Sequence, residues 1–368
     1  MLGAWKPAAG SFAGGIAPVW LAGLALLSPG SRAGVPAGGS PSPTYTTPAE
    51  RREAGTSYRL TDWLAASALL ERERQRRWTR GGSDEERTST EEQTTTVQWS
   101  LLAFAGGPVE AEWVLEYETG TDKPTVDEAV VNVADEDWEI AFGRQYTPLG
   151  QYFSHFPTGP VLEFGETRAE GVALGWALSD QAELTLMCHA GRARPAGDGR
   201  WSLDWAAGLE AELGRGWSFG TSYQSDLADA LDGLPDEVRR RTQRRVPAAA
   251  AFVRWRNPRF DASAEWLGAM RPFAELAPAV DRPSAWNLEL AHFVDRRFFW
   301  TVRIEGSHDL ADAPRRRWGV SASWLPTRWL GISVEFLQGR IRGDAPDAGE
   351  SAADARVRQI GIRLSLTP

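Results

Sequence analysis

The chain has 368 residues and a formal net charge of −9, with 42% hydrophobic and 24% charged residues. The acidic balance gives no reason to expect a nucleic-acid partner, and a single cysteine, Cys188, excludes an intrachain disulfide and a cysteine metal cluster. Bulk composition fits a soluble protein or a membrane barrel alike, but 18 tryptophans point to rings held where an apolar layer meets water.

In chain order, Lys6 precedes an apolar stretch over 16–27, and Ser31-Arg32-Ala33 follows as a small-residue cleavage site. The stretch is short for a bilayer span, so 1–33 is expected to be a secretory signal. Residues 34–57, rich in Gly, Pro and Ser, are expected to be a periplasmic lead-in, and 58–368 a single barrel. No later segment reads as a transmembrane helix, so a membrane would have to be crossed by strands.

From Tyr58 onward the dominant period is two. In Val109-Glu110-Ala111-Glu112-Trp113-Val114-Leu115-Glu116-Tyr117-Glu118 the odd positions are apolar and the even ones mostly Glu. A strand sends these to opposite faces. The same alternation runs through Trp201, Leu203 and Trp205, through Phe260 to Trp266, through Phe298 to Ile304 and through Trp318 to Trp324. The stretch 125–133 alternates poorly, and 248–251 is four consecutive alanines.

The connections fall into two kinds that alternate along the chain. Tight turns are read at Gly106-Gly107, Ala134-Asp135-Glu136, Ser179-Asp180, Gly214-Arg215, Asn257-Pro258, Asp295-Arg296 and Pro326-Thr327. Longer polar connections are read at 79–90, 120–124, 147–164, 192–199, 226–243, 271–282, 309–313 and 343–353. Eight long and seven short connections give sixteen strands, with both termini on the short-turn side. The expected fold is therefore all-β, a transmembrane antiparallel up-and-down barrel of about sixteen strands with short periplasmic turns and long outer loops. Trp217, Phe298 and Trp329, each directly after a tight turn, mark a periplasmic aromatic girdle. The expected location is the outer membrane of a Gram-negative bacterium, both termini periplasmic.

A barrel of this size leaves an aqueous channel, so charge is tolerated inside. The expected lumen lining is Glu110, Glu112, Glu116, Glu118, Glu139, Glu183, Asp204, Glu265, Arg303 and Glu305, a set that would favour cations. Arginines gather beside the long connections, at 74, 76 and 77, 192 and 194, 239–241, 244 and 245, 315–317, and 340 and 342. Their expected partners are the phosphates of outer-membrane lipids and lipopolysaccharide, since guanidinium meets phosphate as a fork. The third long connection carries Tyr152, Phe153, Phe156, Val161, Leu162 and Phe164, apolar bulk that an exposed loop does not need. It is expected to fold back inside and narrow the pore, with Tyr146, Tyr152, Phe153, His155, Phe156, Glu163, Glu166 and Arg168 forming the constriction.

Here the sequence resembles a known family. Gly143-Arg144-Gln145-Tyr146-Thr147-Pro148-Leu149-Gly150, then Gly165-Glu166-Thr167-Arg168-Ala169-Glu170 and an alternating strand to Trp176, is similar to the LbtU-type siderophore porins. Leu149 stands where that family has Phe. The resemblance implies passage of a small solute, a ferric siderophore in that family; a general or phosphate-selective porin shares the same plan.

No nucleophile elbow, phosphate-binding loop, zinc-type His pair or Cys pair is present. No cofactor, metal or enzymatic activity is expected, although a barrel-embedded hydrolase or a purely structural barrel stays open. About 24 residues between Ala33 and the first strand leave no room for the plug of an energised importer. The oligomeric state is left open.

Overall fold

The computed structural model describes residues 58–80, 87–193, 203–230, 234, 243–278, 280–310, 313–341 and 355–367. The expected signal and lead-in, 1–57, lie outside them, as do Arg194, Arg239, Arg240, Arg241 and Arg342. The strands are β1 (Tyr58–Thr61), β2 (Leu64–Arg80), β3 (Arg87–Gly106), β4 (Val109–Glu118), β5 (Thr125–Ala134) and β6 (Trp138–Tyr146). They continue with β7 (Arg168–Ser179), β8 (Ala182–Ala190), β9 (Leu203–Gly214), β10 (Trp217–Gln224), β11 (Ala248–Arg256) and β12 (Phe260–Ala269). The last are β13 (Ser284–Phe293), β14 (Phe298–His308), β15 (Pro314–Thr327), β16 (Leu330–Ile341) and β17 (Ala355–Leu366).

Each strand from β2 to β17 pairs antiparallel with its sequence neighbours, and β17 pairs with β2, from Arg356 opposite Arg80 to Leu366 opposite Leu70. Sixteen strands thus close a barrel without an open edge. Closure satisfies every strand's backbone polar groups from within, which an open sheet in hydrocarbon cannot do. The short β1 is additional. It pairs with β2 at Tyr58 opposite Ala66, on the edge that β17 leaves free beyond Leu70. Among β2–β17 all eight long connections lie at one end and all seven short ones at the other, with the described chain beginning and ending at the short-turn end. Several boundaries differ from expectation: β2 and β3 run further, leaving only 81–86 between them, β7 starts at Arg168 and β11 at Ala248, later than read, and the last tight turn is Arg328-Trp329.

Alternation sorts the side chains. Trp113 and Leu115 are exposed on the outside of β4, while Glu112 and Val114 are buried inside. The poor alternation of 125–133 has a local cause. Val114 opposes Glu128 while Leu115 opposes Val126, so Asp127 is an extra residue in a β-bulge and both acids become buried. The alanine run is also explained. Ala248 and Ala250 face inward against an apolar cluster built from several long connections, where a larger side chain would collide.

That cluster covers the long-loop end of β11–β13. It joins Leu149, Tyr152, Leu162 and Phe164 of the third connection to Leu227 and Val246 of the fifth, Phe273 of the sixth and Leu310 of the seventh. Burying this apolar surface stabilises by about 25 cal/mol per Å², which fastens the loops to one another and to the wall.

Candidate functional site

The connection between β6 and β7 is the segment that the fold turns inward. Pro148, Pro157 and Pro160 deny it a helix or a strand. Gly150 and Tyr152 take positive φ (75° and 53°), which reverses the chain toward the interior. A 3-10 turn over Val161–Gly165 leads back to β7. Its two ends are tied together by Gln224 of β10, which accepts from the Thr147 hydroxyl (2.7 Å) and donates to the Thr167 hydroxyl (3.0 Å).

A chain segment inside a barrel has no strand beside it, yet its amides still need acceptors. The wall supplies them. Ser222 Oγ accepts from the Gly150 N–H (2.9 Å), and Glu265 accepts from the Gln151 and Tyr152 N–H groups (2.5 and 3.3 Å). Glu289 accepts from the His155 N–H (2.5 Å) and the Ser154 hydroxyl (2.8 Å). Glu335 accepts from the Thr158 N–H (3.0 Å), and Glu305 from the Val161 N–H (2.7 Å). Carbonyls are met by cations: Arg303 donates to Thr158 O (2.8 Å), Arg317 to Gly159 O (3.5 Å) and Arg363 to Pro157 O. The loop therefore crosses the interior from β10 to β17, lashed mostly by charge-assisted bonds, which are about twice as strong as neutral ones.

The aromatic side chains complete the attachment. The Arg254 guanidinium lies 3.7 Å from the centroid of Phe153, and that of Arg303 lies 4.2 Å from Phe156. His155 sits edge-on to Phe153, Phe293 and Phe299, with Nε2 3.3 Å from Asp261 Oδ2. Phe293 and Phe299 flank a short turn, so the loop descends toward that end of the barrel. Ser154 gives its hydroxyl proton to Glu289 while His155 turns to Asp261, so the two neighbours are not arranged as nucleophile and base.

The residues singled out from sequence divide by place. Tyr152, Phe153, His155 and Phe156 are buried in the attached loop, and Glu163 and Glu166 are half-buried on its returning turn. Tyr146 and Arg168 stand apart. They face each other across β6 and β7 at the long-loop end, where the Tyr146 hydroxyl donates to Asp127 (3.0 Å) and Arg168 pairs with the same carboxylate. Among the inward acids, Glu265 and Glu305 are buried under the loop, and Arg303 joins Glu305 at 2.9 Å. Glu112, Glu139 and Asp204 are also buried, Asp204 paired with Arg245. Glu110, Glu116 and Glu183 are half-buried, and Glu118 is exposed at the end of β4.

The arginines beside the long connections sort just as unevenly. Arg317 points inward to Glu305 (2.5 Å), and the Arg192 and Ala193 amides cap Asp229 (2.6 and 2.8 Å). Arg74, Arg76, Arg316 and Arg340 are exposed on the outer face. Sequence reasoning passed over Ser222, Gln224, Asp127 and Gln359, whose amide donates to the Thr158 hydroxyl (3.2 Å). Short polar residues at inward strand positions carry no signal until a loop is known to lie over them.

No protein-family model and no curated protein matches the chain. Solved structures do. The outer-membrane channel DcaP of Acinetobacter baumannii is 12% identical, with a TM-score of 0.56 over 84% of this chain and 99% of that one. Salmonella typhi OmpF, solved in complex with daunomycin, is 11% identical, with a TM-score of 0.57 over 84% and 100%. An anion-selective porin from Comamonas acidovorans is 10% identical, with a TM-score of 0.59 over 82% and 100%. At these identities the likeness is one of fold: this chain has the barrel of outer-membrane porins.

Proposed function

We propose that the protein is an outer-membrane diffusion channel, its short turns and both termini periplasmic, its bore narrowed by the connection between β6 and β7. The observation that carries this reading is the lashing of that connection across the inside of a closed barrel. A membrane barrel that only scaffolded partners would have no use for such an internal strap. The mechanism is physical. Solute enters at the long-loop end, passes the strap and leaves at the periplasmic end, driven by its own gradient.

The preferred solute is a small cation or a polar solute carrying positive charge. The strap spends much of its wall's acidity on loop amides, while β4, away from the strap's attachments, carries Glu110, Glu116 and Glu118 at inward positions. A carboxylate field along one side of a narrow bore favours cations. A ferric siderophore is the second reading, supported by the resemblance over 143–170 alone; passage without preference, as in a general porin, is the third.

Planar-bilayer recording on the refolded full chain tests these together. Stepwise openings with a reversal potential shifted toward the cation equilibrium are expected. Block by a micromolar ferric chelate would favour the siderophore reading, and a barrel that folds but never conducts would overturn the channel. Replacing 151–164 by a Gly/Ser linker is expected to raise unit conductance at least twofold, because the strap leaves the bore.

A further inference from the structure

Near the short turns, one inward row of side chains crosses four strands and lacks hydrogen-bond donors. Strand register sets Phe104 of β3 opposite Glu110 of β4, Glu110 opposite Asn132 of β5, and Asn132 opposite Ala141 of β6. Directly opposed side chains share a face of the sheet, ~4.5–5.5 Å apart at Cβ. Two more carboxylates are diagonal neighbours of Asn132: Glu112, next inward after Glu110 on β4, and Glu139, next inward before Ala141 on β6. Asn132 is 2% exposed, and its Oδ1 accepts no hydrogen bond from the described residues. The buried Oε2 of Glu110 accepts none either. An acceptor buried without a donor is costly, so each of these atoms calls for a group from outside the chain. Elsewhere the barrel meets inward acids with its own cations, Asp261 with Arg254 and Glu305 with Arg303 and Arg317. Here β4 and β5 contain no lysine or arginine, and the one on β6, Arg144, lies opposite Ala129, further toward the long-loop end.

We infer that this row is a binding site for an organic ammonium ion. Its N–H groups donate to Asn132 Oδ1 and Glu110 Oε2, and Glu112 and Glu139 add negative charge beside them. Its alkyl part lies along the Phe104 ring, whose face also attracts a cation, and the small Ala141 leaves it room. Glu110 is half-buried, so the site is entered from the bore past that side chain. Among the described residues no three His, Cys, Asp or Glu side chains gather closely enough to hold a metal ion. That favours a larger cation, whose several donors reach acceptors spaced along a sheet. A neutral amide oxygen selects for an N–H donor and not for charge alone. The inference rests on the reading of a bore open to small solutes, and adds to it a place near the short turns where one class of cation is held.

The test sets n-butylammonium against tetramethylammonium, which has the same charge but no N–H. In planar bilayers holding the refolded full chain, butylammonium is expected to block potassium current with an apparent affinity at least tenfold above that of tetramethylammonium. N132L is expected to bring that ratio below threefold, whereas Q181L, the same amide-to-apolar change on a short turn, leaves it intact. N132D keeps an acceptor at the position and is expected to hold the ratio at tenfold or more. Equal block by the two cations, an unchanged ratio in N132L, a lost ratio in N132D, or equal loss in N132L and Q181L would each overturn the site. Should N132L fail to fold, judged by gel migration with and without heating, the wild-type comparison and N132D decide. Saturation-transfer NMR on the full chain folded in detergent reads the same preference without current. A barrel that prefers butylammonium there but never conducts sinks the diffusion channel and leaves the site; one that conducts without the preference sinks the site alone.

Discussion

Glu265 shows how one residue can be read two ways. As an inward carboxylate on a strand it looks like bare pore charge; in place it takes the amides of Gln151 and Tyr152. The same holds for Glu289 and Glu305, whose oxygens hold His155 and Val161. Hydrogen bonds to a charged group contribute about 1.5–3 kcal/mol against 0.5–1.5 for neutral pairs. Glu265→Gln together with Glu289→Gln is therefore expected to weaken the strap by roughly 2 kcal/mol, seen as noisier single-channel current and faster hydrogen exchange at Gln151, Tyr152 and His155. Unchanged exchange at those amides would show that the carboxylate charge does not hold the loop. Gly143 bears on the wall instead. Its φ is 130°, and a Cβ there would lie 2.0 Å from the Ala129 carbonyl oxygen on β5. Gly143→Ala is expected to cost about 1–3 kcal/mol, measured as a lower urea midpoint for refolding. The motif that carries Gly143 suggested a porin subtype; its visible physical role is to let β6 approach β5.

At the scale of elements, the loops behave as a connected cap. Asp226 and Asp229 lie in the connection between β10 and β11, buried beside Asp204 and His189, with Arg245 partnering Asp204. Burial raises Asp226 to about 6, against the amides of Val246 and Ala228 that lower it. It raises Asp229 to about 7, against those of Ala193 and Arg192, with Asp226 and Asp204 adding repulsion. Both values exceed the unfolded ~3.9, so the neutral acids favour the packed loops. Their contribution is full below about pH 4 and is lost as pH rises through 6 to 7. The cap is expected to resist limited proteolysis better at pH 5 than at pH 8, and Asp229→Asn to remove much of that difference. Equal cleavage at both pH values would rule out this linkage. The strap's inward course followed from its surplus of aromatic residues, but which wall it lies on did not. That depends on acceptors spread over β10 to β16, between 72 and 177 residues along the chain from the amides they meet.

For the whole molecule, closure is the decisive property. The seam between β17 and β2 is an ordinary antiparallel ladder, reinforced inside by Arg363, which donates to Glu73 (3.2 Å) and reaches Glu71 at 3.9 Å. Deleting 355–368 would expose two strand edges at once. Such a truncation is expected to lose the compact band on unheated gels, whereas Arg363→Ala should keep the band but lower its melting temperature. A truncated chain that still ran compactly would mean that the barrel closes without β17. Closure also accounts for β1, which fills the edge of β2 that the end of β17 leaves open.

Strand number, the segregation of long and short connections and the outward tryptophans were all determined by the sequence itself, because each follows from local alternation and turn chemistry. A period of two needs only neighbours in the chain to be legible. The bulge at Asp127 and the partners of the inward carboxylates were decided only by the tertiary structure. Each depends on register between strands or on a loop meeting a distant wall, and register is set by pairing across the barrel rather than by any one strand's residues.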